Sequence, residues 1–202
     1  MLLARFPILR AGEKLPRIYP RESYLAKLRP FYDSDIIKVI TGIRRCGKSC
    51  LLLTIMDELR ARGVPENSIV YLNLDKRSLR HVKTADDLDA EIELRMPDLG
   101  MRYLFIDEAQ NVEGFEPVVN GWREEGDVSI FLTGSNSYLL SGELISKLTG
   151  RYIEFGMFTL DFGEWLDMRE FLGIEPRSSR REDLEEYLVF GLWSLSAHET
   201  IR

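Results

Sequence analysis

The run Ile36-Ile37-Lys38-Val39-Ile40-Thr41 leads straight into Gly42-Ile43-Arg44-Arg45-Cys46-Gly47-Lys48-Ser49. A β-branched apolar run reads as a buried strand over 36–43. Beyond it Leu51, Leu52, Ile55 and Leu59 share one face of a helix over 48–62, stopped by Gly63 and then Pro65. A strand feeding a helix through a glycine-flanked loop narrows the chain to folds that alternate strands with helices. Glycines let the backbone wrap an anion, successive N–H groups point inward, and the helix N-terminus adds positive potential.

The alternation then repeats. Residues 68–74, 103–108, 128–134 and 151–158 are apolar runs of strand length. Between them, Thr84 with Asp87 resembles a capping box that opens a helix to about Arg95. Phe115, Val118, Val119 and Trp122 form one apolar helix face, with Pro117 in its first turn, and Ser141 to Leu148 is a short helix. Asp161 with Glu164 and Ser179 with Glu182 resemble capping boxes of two closing helices. The expected class is α/β: a five-stranded parallel sheet with helices on both faces and a short C-terminal helical appendage. The expected division is an irregular arm over 1–20, a strand–helix domain over 21–160, and the appendage over 161–202.

Composition removes other classes. Against 27 basic residues stand 33 acidic ones, a net charge of −6, so clustered positive charge for general nucleic-acid binding is lacking. A 45% hydrophobic, 30% charged chain has ample core material and is not disordered. Cys46 and Cys50 have no second Cys or His pair nearby, which excludes a disulfide framework and a zinc site. Arg5 interrupts the apolar start and no run reaches the roughly 18 residues of a membrane span, so the expectation is a cytoplasmic chain.

The loop matches G-x-x-x-x-G-K-[ST], the Walker A pattern, in the strand-to-helix context that gives it meaning. Lys48 is placed to reach β- and γ-phosphates and Ser49 to offer a hydroxyl to Mg²⁺. Gly42, Ile43, Arg44, Arg45, Cys46, Gly47, Lys48, Ser49 and Cys50 are the expected nucleotide contacts. The main-chain amides of Arg44 and Arg45 matter more than their side chains, and Cys46 reads as a small loop residue. Asp107 and Glu108 end an apolar strand, the Walker B arrangement. Asp107 suits magnesium through a coordinated water, and Glu108 suits activation of the water attacking the γ-phosphate. The competing reading makes the pair caps of a helix beginning at Ala109.

Beside that strand, Thr133-Gly134-Ser135-Asn136 ends the next one. Asn136 is the first choice, and Ser135 the second, to touch the γ-phosphate or the water; an ordinary turn is the alternative. Arg151 is a candidate arginine finger, from this subunit or a neighbour, or a solvated edge-strand arginine. The basic stretch Lys76 to Lys83 reads as a solvated loop, because acidic residues from Asp86 to Glu93 follow it.

With GIRRCGKS, YLFIDEAQ, FLTGSNSYLLSGEL, LTGRYIEF and DFGEWL in this order, the chain resembles a bacterial and archaeal family of AAA-type ATPases. Those proteins carry an N-terminal ATPase domain followed by a C-terminal domain of unknown function. The resemblance implies an AAA+ P-loop NTPase core with strand order 5-1-4-3-2, ATP and Mg²⁺ as ligands, and Lys48, Ser49, Asp107 and Glu108 in the roles above. It adds weight to Asn136 as a sensor residue and to the Gly150-Arg151 pair. Family members continue for about another domain after the tyrosine-leucine pair matched here by Tyr187-Leu188, so the chain resembles a truncated or frameshifted copy. Leu188, Phe190, Leu192 and Trp193 are then expected to lack a partner, so that the chain is either poorly stable alone or associates through this end with a second copy or another protein.

The expected activity is Mg²⁺-dependent hydrolysis of ATP to ADP and phosphate. The alternatives are a non-hydrolysing nucleotide-binding switch or scaffold and, behind it, a P-loop small-molecule kinase. The absence of a guanine-reading N-K-x-D element favours ATP over GTP.

Overall fold

The computed structural model describes residues 17–97, 100–135, 148, 150–175 and 177–190. The chain divides into two compact units, Glu22–Phe158 and a second made of Met1–Arg21 with Thr159–Arg202.

In the first unit five strands among the described residues form one sheet: β1 (Ile37–Gly42), β2 (Ile69–Asn73), β3 (Arg102–Asp107), β4 (Val128–Ser135) and β5 (Tyr152–Met157). Their order is β2-β3-β4-β1-β5 with every pairing parallel, the order 5-1-4-3-2 read from the other edge. Its α-helices among the described residues are α1 (Glu22–Leu28), α2 (Lys48–Ala61), α3 (Ala85–Glu93) and α4 (Phe115–Glu124).

Side chains alternate across a strand, so each apolar run serves two cores. Ile37 and Val39, Leu104 and Ile106, and Ile130 and Leu132 pack with Leu88 and Ile92 of α3 and Phe115 and Val119 of α4. The intervening residues Ile40, Phe105 and Phe131 pack with Leu25 and Leu28 of α1 and Leu52, Ile55 and Leu59 of α2. Phe105 stacks on Phe131 with ring centroids 4.5 Å apart. Lys38 and Ser129 are among the polar residues that break the pattern. Lys38 is fully buried, donating to Ser129 Oγ at 2.6 Å and the Ser34 carbonyl at 3.0 Å, with Nζ 4.5 Å from the Phe131 ring centroid. Ser129 in turn donates to the Tyr32 carbonyl at 2.5 Å.

The capping box at Thr84 and Asp87 is formed at the start of α3. Pro117 falls in the first turn of α4, where its missing N–H costs nothing. The short helix α1 has no counterpart in the sequence reading, because seven residues carry too little periodicity to read. Most of the helix expected over Ser141–Leu148 lies outside the described residues; Leu148 itself is buried in the α3/α4 core.

The second unit holds α5 (Phe162–Phe171) and α6 (Arg180–Phe190). A capping box of Asp161 and Glu164 starts α5. Leu160, Trp165 and Met168 form its core, with Tyr19, Phe162 and Tyr187 packed against it. Arg21 pairs with Glu164 at 2.5 Å and Arg169 with Glu186 at 3.0 Å. Leu188 and Val189 of α6 are exposed. No helix among the described residues is long and apolar enough to cross a membrane.

Candidate nucleotide site

Parallel sheets present ligands at the C-terminal ends of their strands, and the charged residues of interest gather there. At the end of β1 the chain turns through Ile43, Arg44 and Arg45, all exposed, with Arg45 at φ 68°. Cys46 turns inward and is buried, its N–H donating to the Ile43 carbonyl at 3.3 Å. Gly42 lies against β5: a Cβ there would stand 2.4 Å from the Met157 carbonyl oxygen and 2.7 Å from Cys46 Sγ. Gly47, at φ 101°, is the N-cap of α2 and provides no side-chain cap, and the first turn of α2 carries no acidic residue. The leading amides of α2 are thereby left for an anion.

Lys48 is the first residue of α2 and is buried, folding back so that Nζ donates to the carbonyls of Gly42 at 3.1 Å and Ile43 at 3.3 Å. It also lies 3.8 Å from Glu108 Oε1. Ser49 is half-buried beside it. Cys50 is half-buried; burial and then the Asp107 carboxylate push its thiol pKa up.

Asp107 ends β3 and is fully buried. Its Oδ2 accepts from Tyr71 Oη at 2.9 Å and Asn73 Nδ2 at 2.7 Å, and its Oδ1 accepts from Thr133 Oγ1 at 2.5 Å. Asn73 is the register partner of Asp107 across β2 and β3. Burial first, and the Asp107 carboxylate next, drive the Tyr71 phenol well above its ordinary pKa. A carboxylate offers about four lone-pair sites and these donors use three of them, which suits contact with a hydrated cation. Ser49 and Asp107 together present the hard oxygen donors that Mg²⁺ favours, so the donor chemistry fits that ion.

Glu108 adopts a left-handed conformation, φ 60° and ψ 51°, ahead of a short 3₁₀ turn over Ala109–Asn111. It makes no side-chain cap there, which argues against a capping role. Its N–H donates to Thr133 Oγ1 at 2.9 Å, its carbonyl accepts from Asn111 N at 3.0 Å, and its Oε2 accepts from Gln110 Nε2 at 2.5 Å. Backbone conformations of this kind cluster at functional sites.

The other candidates divide. Ser135 is the register partner of Gly42, so the end of β4 stands beside the start of the loop. Asn136 lies outside the described residues. Arg151 does not join the site within this chain. Its carbonyl accepts from Ile37 N at 3.1 Å, at the N-terminal end of β1, and its guanidinium lies 3.8 Å from Glu124. The loop begins five residue steps away at Gly42, roughly 16 Å at strand rise, beyond an arginine's reach. A residue that precedes a parallel strand is carried to the edge opposite the site, which corrects the expectation of a finger from the same subunit. Three donors escaped the sequence reading: Tyr71, Asn73 and Thr133.

This sheet order, with a glycine-bounded phosphate loop on β1 and an Asp-Glu pair ending β3, defines a P-loop NTPase domain of the AAA+ class. A family model described as AAA domain (AAA_14) matches residues 34–166. An uncharacterized protein of Haemophilus influenzae is 44% identical over 147 residues, covering 72% of this chain and 37% of its own length. The uncharacterized protein MJ1544 of Methanocaldococcus jannaschii is 30% identical over 161 residues, covering 77% of this chain and 35% of its own length. The chain spans little more than a third of these curated relatives. The ORC1 protein of Aeropyrum pernix, solved in complex with DNA, matches with TM-score 0.54 at 15% identity over 81% of this chain and 52% of that one. RIF2 of Saccharomyces cerevisiae matches with TM-score 0.51 at 15% identity over 84% and 67%. The chain belongs to the AAA domain family, an ATPase-type fold that binds nucleotide.

Proposed function

We propose that this chain binds ATP with Mg²⁺ and hydrolyses it to ADP and phosphate. The observation that carries the reading is the convergence of Lys48 Nζ, 3.8 Å from Glu108, with Asp107 next to Glu108 in the chain, at one end of the sheet. The uncapped start of α2 and the amides of Gly42 to Cys50 hold the phosphates, and Lys48 exchanges its carbonyl partners for phosphate oxygens. Ser49 and Asp107 hold the cation, which when bound supplies neutralisation of charge on the phosphate oxygens. Glu108 accepts a proton from the attacking water, a role worth ~10²–10⁴ in rate. Asn136 is assigned to sensing the γ-phosphate, and Arg151 only to a neighbouring subunit's site. Cys46 and Cys50, present as free thiols, support a reducing, cytoplasmic setting. Exposed Leu188 supports association through α6, with a second copy or another protein.

The test is phosphate release from ATP by the wild-type chain and by Glu108→Gln. Turnover should be lost with ATP binding kept; turnover retained by E108Q removes Glu108 from the role.

A second reading, a nucleotide-binding switch with little hydrolysis, is favoured by one observation. Glu108 is held by Gln110 and lies 3.8 Å from Lys48, so both compete with a water for its carboxylate. Saturable ATP binding without phosphate release would favour that reading.

A further inference from the structure

We propose that Thr133 is a positioning residue for the hydrolytic step, aligning the cation-holding and water-activating carboxylates through a single hydroxyl. The proposal rests on the hydrolytic reading above and adds a residue to it. Thr133 lies on β4, between β3 and β1, so its side chain stands between the strand that ends in the two acids and the strand that ends in the loop. It is fully buried. Its one O–H is spent on Asp107 Oδ1, at 2.5 Å, and a lone pair accepts the Glu108 N–H, at 2.9 Å. A hydroxyl is one donor with two acceptor sites, so both bonds are made at once and neither competes with the other.

The two bonds act on different degrees of freedom. The first turns the Asp107 carboxylate, which Tyr71 and Asn73 hold by its other oxygen, so three donors from two flanking strands fix its plane. The second ties down the amide of a residue whose backbone is left-handed, φ 60°. An L-residue is held there only when its surroundings enforce it. Glu108 has two such restraints, the Thr133 hydroxyl on its N–H and the Asn111 amide on its carbonyl. Loss of the hydroxyl frees the backbone on which the water-activating side chain is mounted and removes one of three restraints on the acid beside it. A mere core threonine would satisfy its hydroxyl on a nearby carbonyl; this one is spent on two neighbouring acidic residues.

Phosphate release measured against ATP concentration, together with Mg²⁺ binding, tests this, with Thr133→Val, Thr133→Ser and Glu108→Gln side by side. T133V keeps the shape and loses both bonds; kcat should fall about 10–100-fold, as when a supporting partner of an active-site ligand is lost. KM for ATP should stay near the wild-type value, and calorimetric titration of Mg²⁺ into the ADP-bound chain, which involves no turnover, should show weaker Mg²⁺ binding in T133V. T133S should restore both. If T133V does not fold, Thr133→Cys replaces it, with similar volume and only a weak donor, and should show the same loss of kcat. Wild-type kcat and Mg²⁺ binding in T133V or T133C, beside an inactive E108Q, overturn this proposal alone. Equal losses in T133S and T133V, both folded, also overturn it, since the methyl and not the hydroxyl would matter. A wild-type chain without turnover, or an active E108Q, overturns the hydrolytic reading and this proposal together.

Discussion

Lys48 Nζ lies 3.8 Å from Glu108 Oε1 while donating to the carbonyls of Gly42 and Ile43. The lysine that would grip a phosphate is thus paired with the acid that would serve the water, and nucleotide must displace that pairing. Glu108→Gln removes the competing charge at nearly constant shape. E108Q should bind ATP at least as tightly as the wild type, as read by calorimetry. A tenfold weaker affinity would show that Glu108 supports binding and does not compete with it.

Gly42 meets β5 too closely for any side chain. A Cβ at this position would stand 2.4 Å from the Met157 carbonyl oxygen and 2.7 Å from Cys46 Sγ, and the first of these is backbone that cannot step aside. Gly42→Ala should therefore cost about 1–3 kcal/mol in stability, the range of overpacking, and weaken ATP binding through the displaced loop. Chemical denaturation checks the first effect; unchanged stability would mean that β5 gives way freely.

Lys38 is a buried amine whose pKa is lowered to about 7, with burial as the main cause and the carboxylates of Asp35 and Asp33 opposing it. In the unfolded chain it stays protonated to about 10.4. Between these values the unfolded state binds more protons, so unfolding free energy rises with pH, by up to about 1.4 kcal/mol per unit. Below about 7 both states are charged and the burial penalty is fully present. The difference in stability between the wild type and Lys38→Met should therefore shift in favour of the wild type from pH 7 to 10. A flat difference would mean that Lys38 titrates normally in the fold.

Much of this architecture is legible in the residues themselves. Runs such as Tyr103 to Ile106 are apolar at every position because α1 and α2 cover one face of the sheet and α3 and α4 the other. Loop, helix and capping boxes are local patterns, and Thr84-Asp87 and Asp161-Glu164 form as their spacing predicts. The strand order is not local; the resemblance implied it, and no spacing did. What stays hidden depends on pairing across strands. Asn73 reaches Asp107 because β2 and β3 align them in register, 34 residues apart in the chain, and nothing in SIVYLNL announces it. The polar residues after Thr133 carry the turn signal, whereas the strand's period of two decides which side chain faces the acids. Arg151 could have been placed from sequence, since it precedes its strand and so starts from the wrong edge.

The account stands on a main-chain cradle, uncapped at Gly47 and backed by Lys48, that holds a triphosphate. Titration calorimetry of the chain with Mg·ATP, beside Lys48→Ala, tests it most directly. Saturable binding is expected, weakened in K48A by roughly 1.5–3 kcal/mol, the worth of a charge-assisted bond, or about tenfold and upward in Kd. A folded wild-type chain that takes up no heat and gains no melting temperature at saturating Mg·ATP would contradict it.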